Sequence, residues 1–100
     1  MKEIEKFNKM IEEEMEGAWS YAREGAMYKE ELPEFSKKFV NMANQELEHI
    51  QMIHTMVVSL INEYRNKNGT PPTDMLAVYD YLHKKHIDEV AELKYYISMI

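Results

Sequence analysis

The chain has 100 residues, enough for one small domain (residues 1–100) with a modest core, so association with a second copy would help it to bury apolar surface. Its composition is 45% hydrophobic and 30% charged with only three Gly and three Pro, which favours an all-α protein over a disordered or β-rich one. The net charge of −6 argues against nucleic-acid binding, and the absence of cysteine excludes disulfides and thiolate metal sites.

The first predicted helix covers about residues 2–31. Its apolar and small side chains recur on one stripe, formed by Ile4, Phe7, Ile11, Met15, Ala18, Ala22 and either Gly25 or Ala26. We expect Pro33 to end this helix, because the residue before a proline is pushed out of the α region. Only Glu14 of the nearby glutamates lies on the side of the stripe. The others are expected to face solvent: Glu12, Glu13 and Glu16.

The second predicted helix covers about residues 34–66 and has a broad apolar face. The main stripe consists of Phe35, Phe39, Met42, Ile50, Ile53, Val57, Leu60 and Tyr64. A second apolar edge consists of Val40, Leu47, Val58 and Ile61. A face of this width predicts contact with more than one neighbour, so we expect the second helix to be the central one.

The third predicted helix covers about residues 74–98 and follows the Asn, Gly and Pro residues of segment 66–72. Thr73 or Asp74 can cap its start. Its inner side is predicted to carry Met75, Val78, Tyr79, Leu82, Val90, Leu93 and Ile97. The short connection predicts that it returns antiparallel to the second helix.

The second helix carries a Glu-x-x-His element, Glu46 and His49, whose side chains project from the same side of one turn. Glu14 on the first helix lies at a similar distance from the bend. If these three side chains face the apolar interface, they need a partner, because an unpaired buried charge is costly. Carboxylates with an imidazole suit iron or manganese, and zinc is a further candidate. The alternative is a solvated surface turn.

Further candidate residues lie elsewhere. His86 and Glu89 project from the apolar side of the third helix and are secondary candidates for metal ligands; alternatively, His86 is a hydrogen-bonded core histidine. Tyr21 lies on the inner side next to Glu14, either near the metal or as a core tyrosine. His54 and His83 lie at the edges of their apolar stripes and are predicted to be ordinary boundary residues. The nine methionines allow a copper(I) site, although core packing explains most of them more simply.

Two segments, EEMEGAWSYA (13–22) and ANQELEHIQMIH (43–54), resemble the ferritin-like superfamily. In that superfamily a helix-one glutamate is followed seven residues later by a tyrosine and some thirty residues later by Glu-x-x-His, and the matching residues here are Glu14, Tyr21, Glu46 and His49. The resemblance covers about residues 7–64 and is greatest to half-length, encapsulated-ferritin-like proteins. The third helix departs from the pattern, because it lacks a second Glu plus Glu-x-x-His pair, and no encapsulin-targeting peptide is evident.

The resemblance implies a homodimer that forms a four-helix bundle around a di-iron centre, with Glu14, Glu46 and His49 from each copy. It implies ferroxidase activity, the oxidation of Fe²⁺ by O₂ or peroxide, with Tyr21 near the metals, and an encapsulating shell as a further partner. Two alternatives stay open. One is a rubrerythrin-like peroxide-reducing or simple metal-binding protein, which would need a separate electron donor. The other is a metal-free helical interaction module.

The cellular location is predicted from the ends and the hydropathy of the chain. No apolar run approaches the length needed to cross a bilayer, and the first five residues do not resemble a signal peptide. We therefore expect a cytoplasmic protein with no membrane partner.

Overall fold

The computed structural model describes residues 2–100, and Met1 lies outside this range. The described residues form three α-helices and no strand: α1 (Lys2–Met27), α2 (Pro33–Asn68) and α3 (Thr73–Ser98). The all-α prediction is confirmed. The helices lie side by side in a rod of 56 × 17 × 16 Å, whose long dimension matches α2, the longest helix.

Helix α1 ends at Met27 and not near Glu31 as predicted. Residues 28–31 form a turn in which the Leu32 N–H donates to the Tyr28 carbonyl over 2.9 Å. Leu32 is extended, with φ −135°, and Pro33 occupies the first turn of α2, where its missing N–H costs nothing. The chain needs these residues to reverse direction, so the last predicted turn of α1 unwinds before the proline is reached.

The connection between α2 and α3 also begins and ends at residues other than the predicted ones. Helix α2 continues to Asn68, and Gly69 follows with a φ of 80° while its N–H donates to the Arg65 carbonyl. This backbone conformation is the one that glycine adopts at low cost. Helix α3 begins at Thr73, whose side chain does not cap it; instead, the Asp74 carboxylate accepts a hydrogen bond from the Met75 N–H at 3.0 Å.

Helix α1 is the central helix, which corrects the expectation that α2 would be. It packs along α2 on one side and along α3 on the other, whereas α2 and α3 meet along a narrower seam. Near Ile4 the neighbours from α3 are Met75 and Tyr79, and near Trp19 the neighbour is Tyr96. Helix α3 therefore runs parallel to α1 and antiparallel to α2, as its short connection predicts.

The buried stripe of α1 matches the predicted one closely. Its buried residues are Ile4, Asn8, Ile11, Met15, Ala18, Ala22 and Gly25. Gly25 permits close approach of α2, because a Cβ at this position would lie 3.0 Å from a Val40 methyl group and 3.3 Å from the Ser36 carbonyl oxygen. The Ser36 hydroxyl donates a hydrogen bond to the Gly25 carbonyl, which fixes the start of α2 against the end of α1.

Four residues predicted to face inward are exposed: Phe35 by 52%, Met42 by 37%, Val58 by 36% and Val78 by 58%. Phe35 and Met42 lie on the side of α2 that points away from α3, so nothing in residues 2–100 covers them. The hairpin of α1 and α2 thus has one face covered by α3. We call the opposite, uncovered face, which carries Phe35 and Met42, the open face. Within the described residues, no helix is both long and apolar enough to cross a bilayer.

Candidate metal centre

Helices α1 and α2 bring Glu14, Glu46 and His49 together. The His49 Nδ1 atom lies 3.4 Å from an oxygen of Glu14 and 3.8 Å from an oxygen of Glu46. One ligand atom from each residue lies within 4.8 Å of the other two, and no other three His, Asp or Glu side chains among residues 2–100 meet this condition. Two carboxylates and one imidazole thus converge from adjacent helices.

This cluster lies on the open face of the hairpin and not in a closed seam. The side chains of Glu14 and Glu46 are 30% and 22% exposed, and that of His49 is 52% exposed. Helix α3 packs against the other side of α1, so it does not cover the cluster. Gly17 leaves room for the Glu46 carboxylate, since a Cβ at this position would lie 3.4 Å from Glu46 Oε2.

The carboxyl groups of Glu14 and Glu46 lie close together, and Glu46 keeps its proton to a higher pH than an ordinary glutamate does. A hydrogen bond with Glu14, partial burial and the charge of Glu14 raise the pKa of Glu46 to about 7, while the nearby His49 opposes this rise. No Lys or Arg side chain in residues 2–100 forms an ion pair with either carboxylate. A bound cation would supply the positive charge that the protein itself does not provide.

The residues fit a metal ion of the iron, manganese or zinc type. Carboxylate oxygens and an imidazole nitrogen are ligands that these ions accept, and the described chain offers them no thiolate. One chain provides three ligand residues, which is fewer than a di-iron site of four carboxylates and two imidazoles uses. Exposed acidic groups are also common without a metal, so the triad by itself is a candidate site and does not establish metal binding.

The secondary candidates His86 and Glu89 are not part of this cluster. They lie where α3 packs on the other side of α1, with His86 buried and 3.8 Å from Glu12, and Glu89 4.0 Å from Lys85. The Nε2 atom of His86 has no hydrogen-bond partner among the described residues. Glu12 is half-buried in this interface with α3, which corrects the expectation that it would face solvent freely.

Tyr21 is half-buried and packs in an aromatic row. Its ring stacks on Phe39 with 6.5 Å between ring centroids, and Phe39 stacks on Tyr28 at 6.1 Å. No hydrogen bond joins Tyr21 to the cluster within the described part of the chain. Tyr21 is therefore neither bonded to the cluster nor fully buried, and its role stays a prediction.

One feature was missed by sequence reasoning: His54 and His83, assigned to the boundary, stack face to face with 4.3 Å between their centroids. Nothing in the spacing of either helix signals this pairing, because it depends on how α2 and α3 are aligned.

The fold is all-helical, and it brings two carboxylates and one imidazole together on the open face of adjacent helices α1 and α2. Comparison with known proteins adds no family: no protein-family model, no curated protein and no solved structure matches the chain.

Proposed function

We propose that the protein is a ferritin-like metal protein that binds Fe²⁺ through Glu14, Glu46 and His49 and oxidises it. The proposal is supported by the convergence of these three ligand atoms within 4.8 Å. A second support is that the same residues occupy the spacing of the ferritin-like pattern in the sequence. The two acidic side chains have no Lys or Arg partner in the described residues, which suits a site that takes up a divalent cation.

The chemistry follows from the ligand set. Carboxylates hold both Fe²⁺ and Fe³⁺, and each Fe²⁺ that is oxidised gives one electron to O₂ or to peroxide. In this scheme Glu14 and Glu46 bind and orient the metal ion, while the imidazole of His49 supplies the nitrogen ligand. Deprotonated Glu46 is the binding form, so a proton leaves this carboxyl when the metal ion enters.

The proposal includes a homodimer in which two copies complete the site. Two chains together provide four carboxylates and two imidazoles, the set that a di-iron centre uses. The open face around the cluster exposes large apolar side chains, which a second copy would bury: Met10, Phe35, Met42 and Met56. The three-helix chain would then contribute its hairpin to a four-helix bundle, with α3 on the outside of each half.

A metal-binding comparison tests the site. We expect purified wild-type protein to bind Fe²⁺, and Glu46→Gln and His49→Ala to lose at least about tenfold in affinity, because each removes one of three ligands. Glu48→Gln is the matched control. Glu48 lies between Glu46 and His49 in the sequence and its carboxylate is exposed, so removing this charge should leave iron binding unchanged. Equal iron binding in all four proteins would overturn the proposed site.

Kinetics separate the proposed function from its alternatives. Stopped-flow mixing with Fe²⁺ and either O₂ or peroxide, with the oxidant consumed per iron measured, distinguishes a ferroxidase from a rubrerythrin-like peroxide reductase or a simple metal-binding protein. The exposed apolar open face favours one other candidate, a metal-free helical interaction module. That candidate predicts no metal in the purified protein and no effect of Glu46→Gln on partner binding.

A further inference from the structure

The seam between α2 and α3 contains a row of stacked rings. The imidazoles of His54 and His83 lie 4.3 Å apart, centroid to centroid, and are inclined by only 11°. On the other side of His83 the ring of Tyr79 stacks at 5.6 Å with an angle of 7°. Two neutral imidazoles can stack in this way, but two imidazolium cations at the same distance repel each other.

The residues around His54 and His83 provide little negative charge that could balance two imidazolium cations. No carboxylate lies within ion-pair distance of His54 or His83 in residues 2–100. On α3 the nearby titratable groups are Tyr79, Asp80 and His86, and on α1 Glu12 lies beside His86. The charges of Lys85 and Glu89 act on His86.

Burial and the neighbouring histidines His83 and His86 lower the pKa of His54. Burial also lowers the pKa of His86, although Glu12 and Glu89 oppose this shift. A partly open cavity of about 140 Å³ adjoins the three histidines, so water and protons can reach the seam. Burial of His54 therefore disfavours its charged form, while the adjoining cavity leaves the stacked pair accessible to acid.

We propose that the stacked pair of His54 and His83 is an acid-sensitive contact that releases the first half of α3 from α2 when both rings are protonated. The segment that moves covers the apolar cluster of Ile4, Val57 and Ile61, against which Met75 and Tyr79 pack. Acid would thus expose this cluster, while α2 and the second half of α3 keep their own contacts with α1. The contact involves none of the three proposed metal ligands and does not depend on iron binding.

The sign of the pH dependence follows from linkage. Because the pKa of His54 is lowered in the folded state, the released state binds more protons when the pH falls below the usual histidine value of about 6.5. The closed seam is therefore fully favoured above this value and loses stability as the pH falls below it.

Hydrogen–deuterium exchange of the full chain, with a chelator present, tests the proposal. After correction for intrinsic rates, we expect amides in residues 73–85 to exchange at least about tenfold faster near pH 5.5 than near pH 7.5, while α1 and α2 change little. The double variant His54→Phe/His83→Phe keeps two flat rings without the charges and should remove most of the difference, leaving only the contribution of the buried His86. His83→Lys places a permanent charge in the seam and should exchange rapidly at both pH values.

Trp19 reports on the other end of α3, because its ring lies 5.4 Å from that of Tyr96 and it is the only tryptophan. Its fluorescence should stay constant when only the first half of α3 is released. If the double variant fails to fold, as judged by circular dichroism near pH 7.5, the titration of each histidine in the wild type by NMR replaces it. Unchanged exchange in the wild type at both pH values, or an acid response as large in the double variant as in the wild type, would overturn the proposal.

Discussion

At the scale of single residues, two carboxyl groups lie so close together that one negative charge is easier to accommodate there than two. Glu14 and Glu46 come from different helices, share a hydrogen bond and lack a basic partner in the described chain. The pKa of Glu46 is raised to about 7, so this carboxyl group is only partly ionised near neutral pH when no cation is present. Such paired carboxylates commonly mark functional sites, and this is why we place the proposed function here.

This pair makes a prediction about pH. Folded Glu46 releases its proton near pH 7, whereas the unfolded chain releases it near its usual 4.5. The folded state therefore binds more protons in between, and Glu46 makes the metal-free protein lose stability as the pH rises through this window. We expect Glu46→Gln to remove this loss, measured as the difference between the urea unfolding curves of variant and wild type. Titratable groups that do not contact Glu46 act in both proteins and cancel; identical pH dependence would contradict the prediction.

At the scale of helices, small residues decide how closely α1 and α2 pack. Gly25 faces the Val40 methyl group and the Ser36 backbone in a buried position, whereas Gly17 faces only the end of the Glu46 side chain. The two glycines look alike in the sequence, since both interrupt a helix that Ala would favour. Their surroundings predict opposite effects of the same substitution.

We expect Gly25→Ala to destabilise the protein by about 1–3 kcal/mol, because its methyl group must push against backbone atoms of α2. Gly17→Ala gains helix propensity and meets only ordinary contact at 3.4 Å, so it should be neutral or stabilising by up to about 1 kcal/mol. Urea unfolding of the metal-free proteins measures both values. Equal effects of the two substitutions would contradict this account of the helix crossing.

Helix α3 is held mainly through α1, and Leu93 is its fully buried anchor at 0% exposure. We expect Leu93→Ala to cost about 2–5 kcal/mol, through lost burial and the cavity left behind. Ile87 on the same helix is 52% exposed, so Ile87→Ala should cost less than about 0.5 kcal/mol in the same measurement. A small effect at Leu93 would mean that α3 contributes little to the stability of the chain.

At the scale of the whole molecule, one long face of the rod remains open. Helix α3 closes the opposite side, so the hairpin exposes its apolar edge together with the cluster of Glu14, Glu46 and His49. A second copy that covers this edge would bury apolar surface and complete the ligand set at once, which is why the proposals of a dimer and of a metal site are linked.

A charged substitution on the open face tests whether dimerisation and metal binding are linked. We expect Phe35→Lys to shift the protein to monomer in sedimentation experiments and to reduce iron bound per chain, because a charge would be buried between two copies. Tyr95→Lys is the control: Tyr95 is 70% exposed on α3, away from the open face, and its change should affect neither property. A wild-type protein that stays monomeric with iron bound would exclude the shared site.

The sequence by itself determined the three helices and the Glu46–His49 pair, because apolar periodicity, prolines and a three-residue spacing act within one helix. It also placed Glu14 on the correct side of α1. Only the tertiary structure decided which helix is central, that Glu12 meets His86, and that Phe35 and Met42 are exposed. The physical reason is that periodicity gives each helix an apolar side but does not say which neighbour covers it. The stack of His54 on His83 likewise depends on the alignment of α2 and α3, which no local pattern encodes.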